Sequence, residues 1–259
     1  MFNSKWWDGM KCAVSWEDSK RNEAAALSQR LSLPLVELSD TCDGLLLVVG
    51  LENYYLKNTG KNDLGPLCVD FFSSRMKHRL KSGGGPLLKA VGPVKNDQRR
   101  VLDVTAGLGR DAYVLASQGF EVTLLERSSI LFEMLNQEIG KQFLDDLQEA
   151  DRASLSKMKL IHIDAVDFMR STEEKFDVVC LDPMFPERSK SAKVKKDLQY
   201  LQLLHGVEDD GSALLPLARN IAIKKVVVKR PIHAPPLAGL VPNHSFKAKT
   251  LRLDVYLPP

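Results

Sequence analysis

The segment Val101–Asp111 reads VLDVTAGLGRD. An acid, Asp103, closes an apolar run, Gly107 and Gly109 sit in a small-residue turn, and a helical pattern opens at Arg110 and Asp111. Glycines let a backbone approach a ligand closely, and a helix start offers free N–H donors. Asp111 could also simply complement the positive end of that helix. Glu126 follows Gly107 by nineteen residues, at the end of the next apolar run. An acid at this spacing accepts hydrogen bonds from a ribose diol, in a dinucleotide or in an adenosyl cofactor alike. Asp164 ends a third such run, where a carboxylate could accept from an adenine amino group or cap the short helix that follows.

The most specific stretch is Asp182-Pro183-Met184-Phe185-Pro186, directly after an apolar run. Proline stiffens the turn and fixes its carbonyl direction. The Asp182 carboxylate and the Pro183 carbonyl could both accept from a planar –NH2 group, while Phe185 stacks on the ring that bears it. Such an amine is a poor nucleophile because its lone pair is delocalised. Two acceptors holding it in line with a methyl sulfonium supply the proximity and electrostatic help that methyl transfer needs.

These residues need elements to position them. From residue 98 onward strands and helices alternate: strands at Arg100–Val104, Glu121–Leu125, Leu160–Ile163, Phe176–Leu181 and Lys225–Lys229, then a last strand region at Phe246–Leu257. Helices are expected at Asp111–Gln118, Ile130–Ala150 (with a break near Gly140), Ala165–Arg170, Val194–Leu204 and Ser212–Ile221. Near-continuous apolar runs suit parallel strands covered on both faces. The expected fold is therefore α/β, a doubly wound Rossmann-like sheet of seven strands. Ligands on such sheets sit at the carboxyl ends of the strands, where Thr105–Arg110, Glu126-Arg127, Asp164 and Asp182–Pro186 converge.

Residues 1–95 read as a smaller N-terminal α/β subdomain, and 96–259 as the main domain. The first part contains an amphipathic helix, Glu17–Leu31, and a β-meander through Leu45–Leu51, Asn53–Leu56 and Leu67–Phe72. A basic helix, Phe72–Leu80, stops at Gly83-Gly84-Gly85-Pro86.

The chain carries a net charge of +3, too small to demand a polyanionic partner, but its bases are clustered. Arg75, Lys77 and Arg79 form one group, Arg188, Lys190, Lys193, Lys195 and Lys196 a second, and Lys229 with Arg230 part of a third. Such clusters can track phosphates or stand as solvated faces. The four cysteines form no CxxC pair, so neither a metal site nor a disulfide framework is expected, and reduced thiols in a cytoplasmic setting are the default. No apolar run reaches the roughly 18 residues of a membrane helix, and the N-terminus lacks a signal-peptide pattern.

The stretches VLDVTAGLGRDAYVLASQGFEVTLLERS, VVCLDPMFPERSKSAKVKKDLQ and KKVVVKRPIHAPPLAG, with VDFFSSRMKHRLKSGGGPLLKAVG upstream, resemble the ribosomal RNA small subunit methyltransferase J family over about residues 67–255. The resemblance implies S-adenosylmethionine as cofactor and 16S rRNA, or the small ribosomal subunit, as partner. It implies transfer to the exocyclic N2 of a guanosine, with no metal. It places cofactor contacts on Arg110, Asp111, Glu126, Arg127, Asp164, Ala165 and Asp182. Asp182–Phe185 is similar to the acid/amide-Pro-Pro-aromatic motif of amino methyltransferases, with Met184 at the second proline. On this reading Asp182, Pro183 and Phe185 are catalytic, Asp103, Gly107 and Gly109 shape the cofactor loop, and the basic clusters hold RNA phosphates. A methyltransferase of another amine (adenine N6 or a glutamine side chain), a nicotinamide-dependent oxidoreductase and a non-catalytic RNA-binding protein are the competing readings.

Overall fold

The computed structural model describes residues 6–7, 10–39, 44–60, 65–94, 99–183, 196–205 and 211–259. In chain order its elements are β1 (Trp6–Trp7), β2 (Met10–Trp16), α1 (Arg21–Leu31), β3 (Leu45–Val49), β4 (Tyr54–Asn58), β5 (Leu67–Cys68), α2 (Ser74–Lys81), α3 (Pro86–Val91), β6 (Arg100–Asp103), α4 (Arg110–Ser117), β7 (Glu121–Glu126), α5 (Ser129–Gly140), α6 (Glu149–Leu155), β8 (Met158–His162), α7 (Ala165–Ser171), β9 (Phe176–Leu181), α8 (Lys196–His205), α9 (Leu214–Ile221), β10 (Ala222–Pro231), β11 (His244–Lys247) and β12 (Leu251–Tyr256). The chain forms two compact units.

The first unit takes residues 1–70, 128–138 and 189–206. Its sheet runs β1-β2-β3-β4-β5. The expected meander is β3, β4 and β5, which pair antiparallel in order, and the sheet adds strands not expected from the sequence, with β2 pairing in parallel to β3. A parallel pair needs a crossover, and α1 is that crossover. Strand β3, LLLVV, is buried at every position, as expected of a strand covered on both faces. Helix α1 buries Ala24 and Leu27, and Arg30 clamps the Glu133 carboxylate with two hydrogen bonds of 3.1 and 2.9 Å.

The second unit takes residues 71–127, 139–188 and 207–259. Its seven strands run β11-β12-β10-β9-β6-β7-β8. The five central and outer strands from β10 to β8 are parallel, and β12 enters antiparallel to β10. This is the doubly wound sheet of the sequence expectation, with the order reversing between β6 and β9. Leu102, Val179, Leu181, Val226 and Val228 meet α7 and α9 in one apolar cluster. Alternate residues Val101, Val178 and Val227 are buried equally completely on the other side. Tyr113 of α4 is fully buried, stacked on Phe71 at 4.7 Å and hydrogen-bonded to Asp151 at 2.7 Å. Helices α2 and α3 lie in this unit although they precede residue 95 in sequence.

The break expected near Gly140 is present, since α5 ends there, but the second helical stretch, α6, starts only at Glu149 and runs past the expected end at Ala150 to Leu155. The last strand region is a hairpin, β11 with β12, turning at 248–250. That hairpin steadies the end of β10. Arg252 Nη1 donates to the carbonyls of Pro231 and Ile232 at 3.1 and 2.9 Å, while its Nε binds Asp254, which is 0% exposed and also accepts from Ser245. Arg252→Met should therefore leave a buried carboxylate without its cation and cost about 3–5 kcal/mol. Chemical denaturation compared with Asp254→Asn/Arg252→Met, which removes both charges and should lose less, checks this.

Candidate active site

The strand ends of the second unit bring the expected residues together. After β6 the chain turns through Gly107 and Gly109, with φ of +52° and +66°. That left-handed region penalises any side chain, so the turn needs glycine at both positions. Gly109 begins α4 with no side-chain cap, leaving Asp111 in the first turn to meet the helix dipole. Asp103 is buried at 5% exposure and accepts the Thr105 N–H at 3.2 Å. The Thr105 hydroxyl oxygen in turn accepts the Asp182 N–H at 2.6 Å. The loops after β6 and β9 are thus tied through one threonine.

Three carboxylates, Asp103, Asp111 and Asp182, crowd this end of the sheet. Lys229, near the end of β10, places its ammonium 2.6 Å from Asp182 Oδ2 and 3.1 Å from Asp111 Oδ2. Arg79 of α2 reaches the other oxygen of Asp111 at 2.5 Å. The charges follow from these contacts. Burial alone raises the Asp111 carboxyl, but Lys229 and Arg79 more than offset it and hold it at about 2. Asp103 has no such cation in contact. Burial, and then repulsion from Asp111, pushes it up to about 7. Lys229 loses charge stability to burial but regains more from Asp182 and Asp111, which raise it above the ordinary lysine range.

Glu126 ends β7 and is buried at 3% exposure. Arg127 beside it is exposed, with Nη1 4.0 Å from Asp164 Oδ2. Asp164 caps α7: its Oδ1 accepts the Val166 and Asp167 N–H groups at 2.8 and 3.4 Å. The capping alternative therefore holds, and the two cap bonds use Oδ1. Ala165 opens α7 and Arg110 opens α4, both half-buried. Pro183 is buried, and a Cβ added at Gly211 would fall 2.4 Å from Pro183 Cβ. Only glycine leaves room for that contact.

The basic residues divide. Arg75 and Lys77 are exposed on α2. Lys196 donates to the Pro66 carbonyl at 2.6 Å within the first unit. The expectation that Arg79, Lys229 and Arg230 hold phosphates is corrected. Arg79 and Lys229 are engaged by the site's own carboxylates, and Arg230 is 3% exposed and donates to the Pro235 carbonyl. Phe185, Arg188, Lys190, Lys193 and Lys195 lie outside the described residues. Sequence reasoning missed the roles of Lys229, Arg79, Thr105 and Gly211. The one available signal was a lysine following VVV at the carboxyl end of a buried strand.

A family model described as "Putative SAM-dependent methyltransferase" matches residues 26–258. The chain is 39% identical over 249 residues to ribosomal RNA small subunit methyltransferase J of Coxiella burnetii, covering 95% of this chain and 96% of the relative. It is 38% identical over 250 residues to the protein of the same name from Pectobacterium atrosepticum, covering 95% and 98%. Among solved structures it is similar to a SAM-dependent methyltransferase from Neisseria gonorrhoeae, with a TM-score of 0.71, 33% identity, and 95% and 96% of the two chains covered.

Two outcomes follow from the charge arrangement. Lys229→Met leaves Asp111 and the half-exposed Asp182 short of a cation and should cost about 1–3 kcal/mol at pH 7. Lys229→Arg should lose less, and denaturant midpoints measure both. Asp103 titrates at about 7 in the fold against an ordinary 3.8. The folded state therefore holds the extra proton, and this group's stabilisation fades as pH rises through 7. Asp103→Asn, which keeps the Thr105 hydrogen bond, should remove a decline on the order of 1–2 kcal/mol between pH 5.5 and 7.5, read by calorimetry at the two pH values.

Proposed function

The chain belongs to the SAM-dependent methyltransferase family, and from that premise we propose that it transfers a methyl group to the exocyclic N2 of a guanosine in 16S rRNA. When bound, S-adenosylmethionine supplies an electrophilic methyl group and a thioether leaving group. The described residues suit this donor. Arg79 and Lys229 balance Asp111 and Asp182, and Asp103, which titrates at about 7, would add negative charge beside a sulfonium as it ionises. Glu126, nearly inaccessible at a strand end, would accept hydrogen bonds from the ribose diol. Asp103, Gly107, Gly109, Arg110 and Asp111 would cradle the methionine end, and Arg127, Asp164 and Ala165 the adenine side.

The observation that carries the acceptor half is Asp182. It stands past the end of β9 with its N–H fixed by Thr105 and one carboxylate oxygen fixed by Lys229. Its carboxylate and the Pro183 carbonyl would hold the guanine amine, with Phe185 stacked on the base. With the donor bound, the amine would take its methyl group as the thioether leaves, and Asp182 or water would accept the proton that the amine sheds. The base must leave its stack to arrive there. Arg75 and Lys77 would meet flanking phosphates, with Arg188–Lys196 as a second group. We also infer that 96–259 forms the catalytic portion and 1–95 an N-terminal α/β portion, the latter lending α2 and α3 to the catalytic unit. A nicotinamide-dependent oxidoreductase is set aside by the family.

Purified protein, S-adenosylmethionine and small-subunit rRNA lacking the modification should yield N2-methylguanosine by nucleoside mass spectrometry. N6-methyladenosine, or no product, rejects the reading. In the same assay Asp182→Ala should lower the rate at least about 100-fold. Glu126→Ala should weaken calorimetric donor binding by about 1–3 kcal/mol, and unchanged affinity excludes its ribose role.

A further inference from the structure

We propose that the groove between α3 and the β11 edge, in the second unit, binds the single-stranded RNA that flanks the target base. This rests on rRNA being the substrate. The groove has a volume of about 850 Å³, and its lining includes Ser82, Gly83, Lys89, Gln118, Phe246 and Lys247. Both of its charged lining residues are lysines, exposed on opposite walls. Among the described residues no carboxylate lines it.

The two walls come from segments whose charge is one-sided. Residues 71–94 contain five Lys or Arg (Arg75, Lys77, Arg79, Lys81 and Lys89) and no Asp or Glu. Residues 243–251 contain Lys247 and Lys249, again without an acid. Acid-free basic walls around a concave surface are the footprint of a polyanion. Phe246 adds what a purely phosphate-gripping surface lacks. Its ring is half-buried and set edge-on to His244 at 4.5 Å, leaving a fixed aromatic beside the lysines. Bases of any sequence stack on such a ring. At Gly83 and Gly85 a Cβ would meet nothing within 4 Å, so the main chain there is open to a ligand. The volume accommodates roughly two or three nucleotides, the scale of a single-strand subsite.

The groove is also fixed to the active site. Its Ser82–Gly85 wall starts three residues after Arg79, which binds Asp111. On the other wall Lys247 pairs with Arg252, and Arg252 pairs with Arg230, the neighbour of Lys229. Residues 92–94 and Gln118 with Phe120, which precede β6 and β7, line its far end, so the groove runs from the Arg79 side towards the amino ends of the strands, and an RNA strand leaving Asp182 would follow it away from the site.

The test compares Lys89→Glu/Lys247→Glu, the milder Lys89→Gln/Lys247→Gln and Phe246→Ala with wild type. Fluorescence anisotropy with a single-stranded oligonucleotide of about 20 nucleotides from the small-subunit rRNA gives Kd, and methylation of unmodified rRNA gives KM and kcat. The charge-reversed pair should raise Kd and KM at least tenfold, with kcat at saturating RNA changed less than about threefold. Its salt dependence should lose about 1.4 from the slope, the share of two single-strand phosphates. The glutamine pair should fall between, and Phe246→Ala should raise Kd about fivefold. Donor affinity by calorimetry reports that each variant is folded. Lys159→Glu/Arg170→Glu makes the same change of net charge on exposed residues elsewhere in the unit. An equal loss there, or unchanged Kd and KM in the groove variants, overturns the inference. Binding of a duplex of the same sequence with equal sensitivity to the groove variants also overturns its single-strand assignment. Wild-type protein that binds RNA but methylates none rejects the proposed function, while the anisotropy arm still decides the groove.

Discussion

One ammonium group holds the candidate site of this fold together. Lys229 lies between Asp111 and Asp182, carboxylates delivered by a helix start and by a loop from different strands. Parallel strands β6 and β9 are neighbours, so acids at their ends must converge. Like charges a few ångströms apart repel by several kcal/mol at protein-like dielectric. The convergence is tolerable only because a cation from β10 is inserted there. Much of the surrounding structure serves that insertion. Arg252 braces the carbonyls just beyond β10, Arg79 takes the remaining oxygen of Asp111, and Thr105 fixes the backbone of Asp182. Asp103, left without a contacting cation, keeps its proton near neutrality instead.

What could be read from the chain, and what could not, divides along local and non-local causes. Asp103, Gly107, Gly109, Glu126 and Asp182 were legible because each stands at a fixed offset from an apolar run, and a doubly wound sheet sends all such offsets to one edge. Lys229 and Arg79 were misread as phosphate ligands because their partners are far away in sequence. A lysine in KKVVVKRP looks like any surface base until β10 is known to lie beside β9. Gly211 carries no local signal at all: its meaning depends wholly on Pro183. The Asp164 ambiguity was real, and the structure shows why. One oxygen caps the helix and the other is turned towards Arg127.

The first unit shows the same limit in the backbone. Its apolar β3 and the meander that β3, β4 and β5 form were recognisable, whereas the partner strand MKCAVSW was not read, although Met10, Cys12, Val14 and Trp16 alternate there with Lys11, Ala13 and Ser15. Strand direction is set by the length of the connection, and the α1 helix was the clue that a parallel pair was being made. The break expected near Gly140 is where α5 ends, because glycine lowers helix propensity there.

The Pro183–Gly211 contact has an architectural consequence. Two positions 28 residues apart in sequence touch with no space for one extra carbon. One of the chain's two excursions out of the second unit thus leaves and returns at a single closed point. Closing a loop costs only about 0.6 kcal/mol more for each doubling of its length. The span is therefore long enough to carry α8 into the first unit, where Tyr200 is fully buried and donates to the Gly65 carbonyl, while its two ends stay pinned beside Asp182.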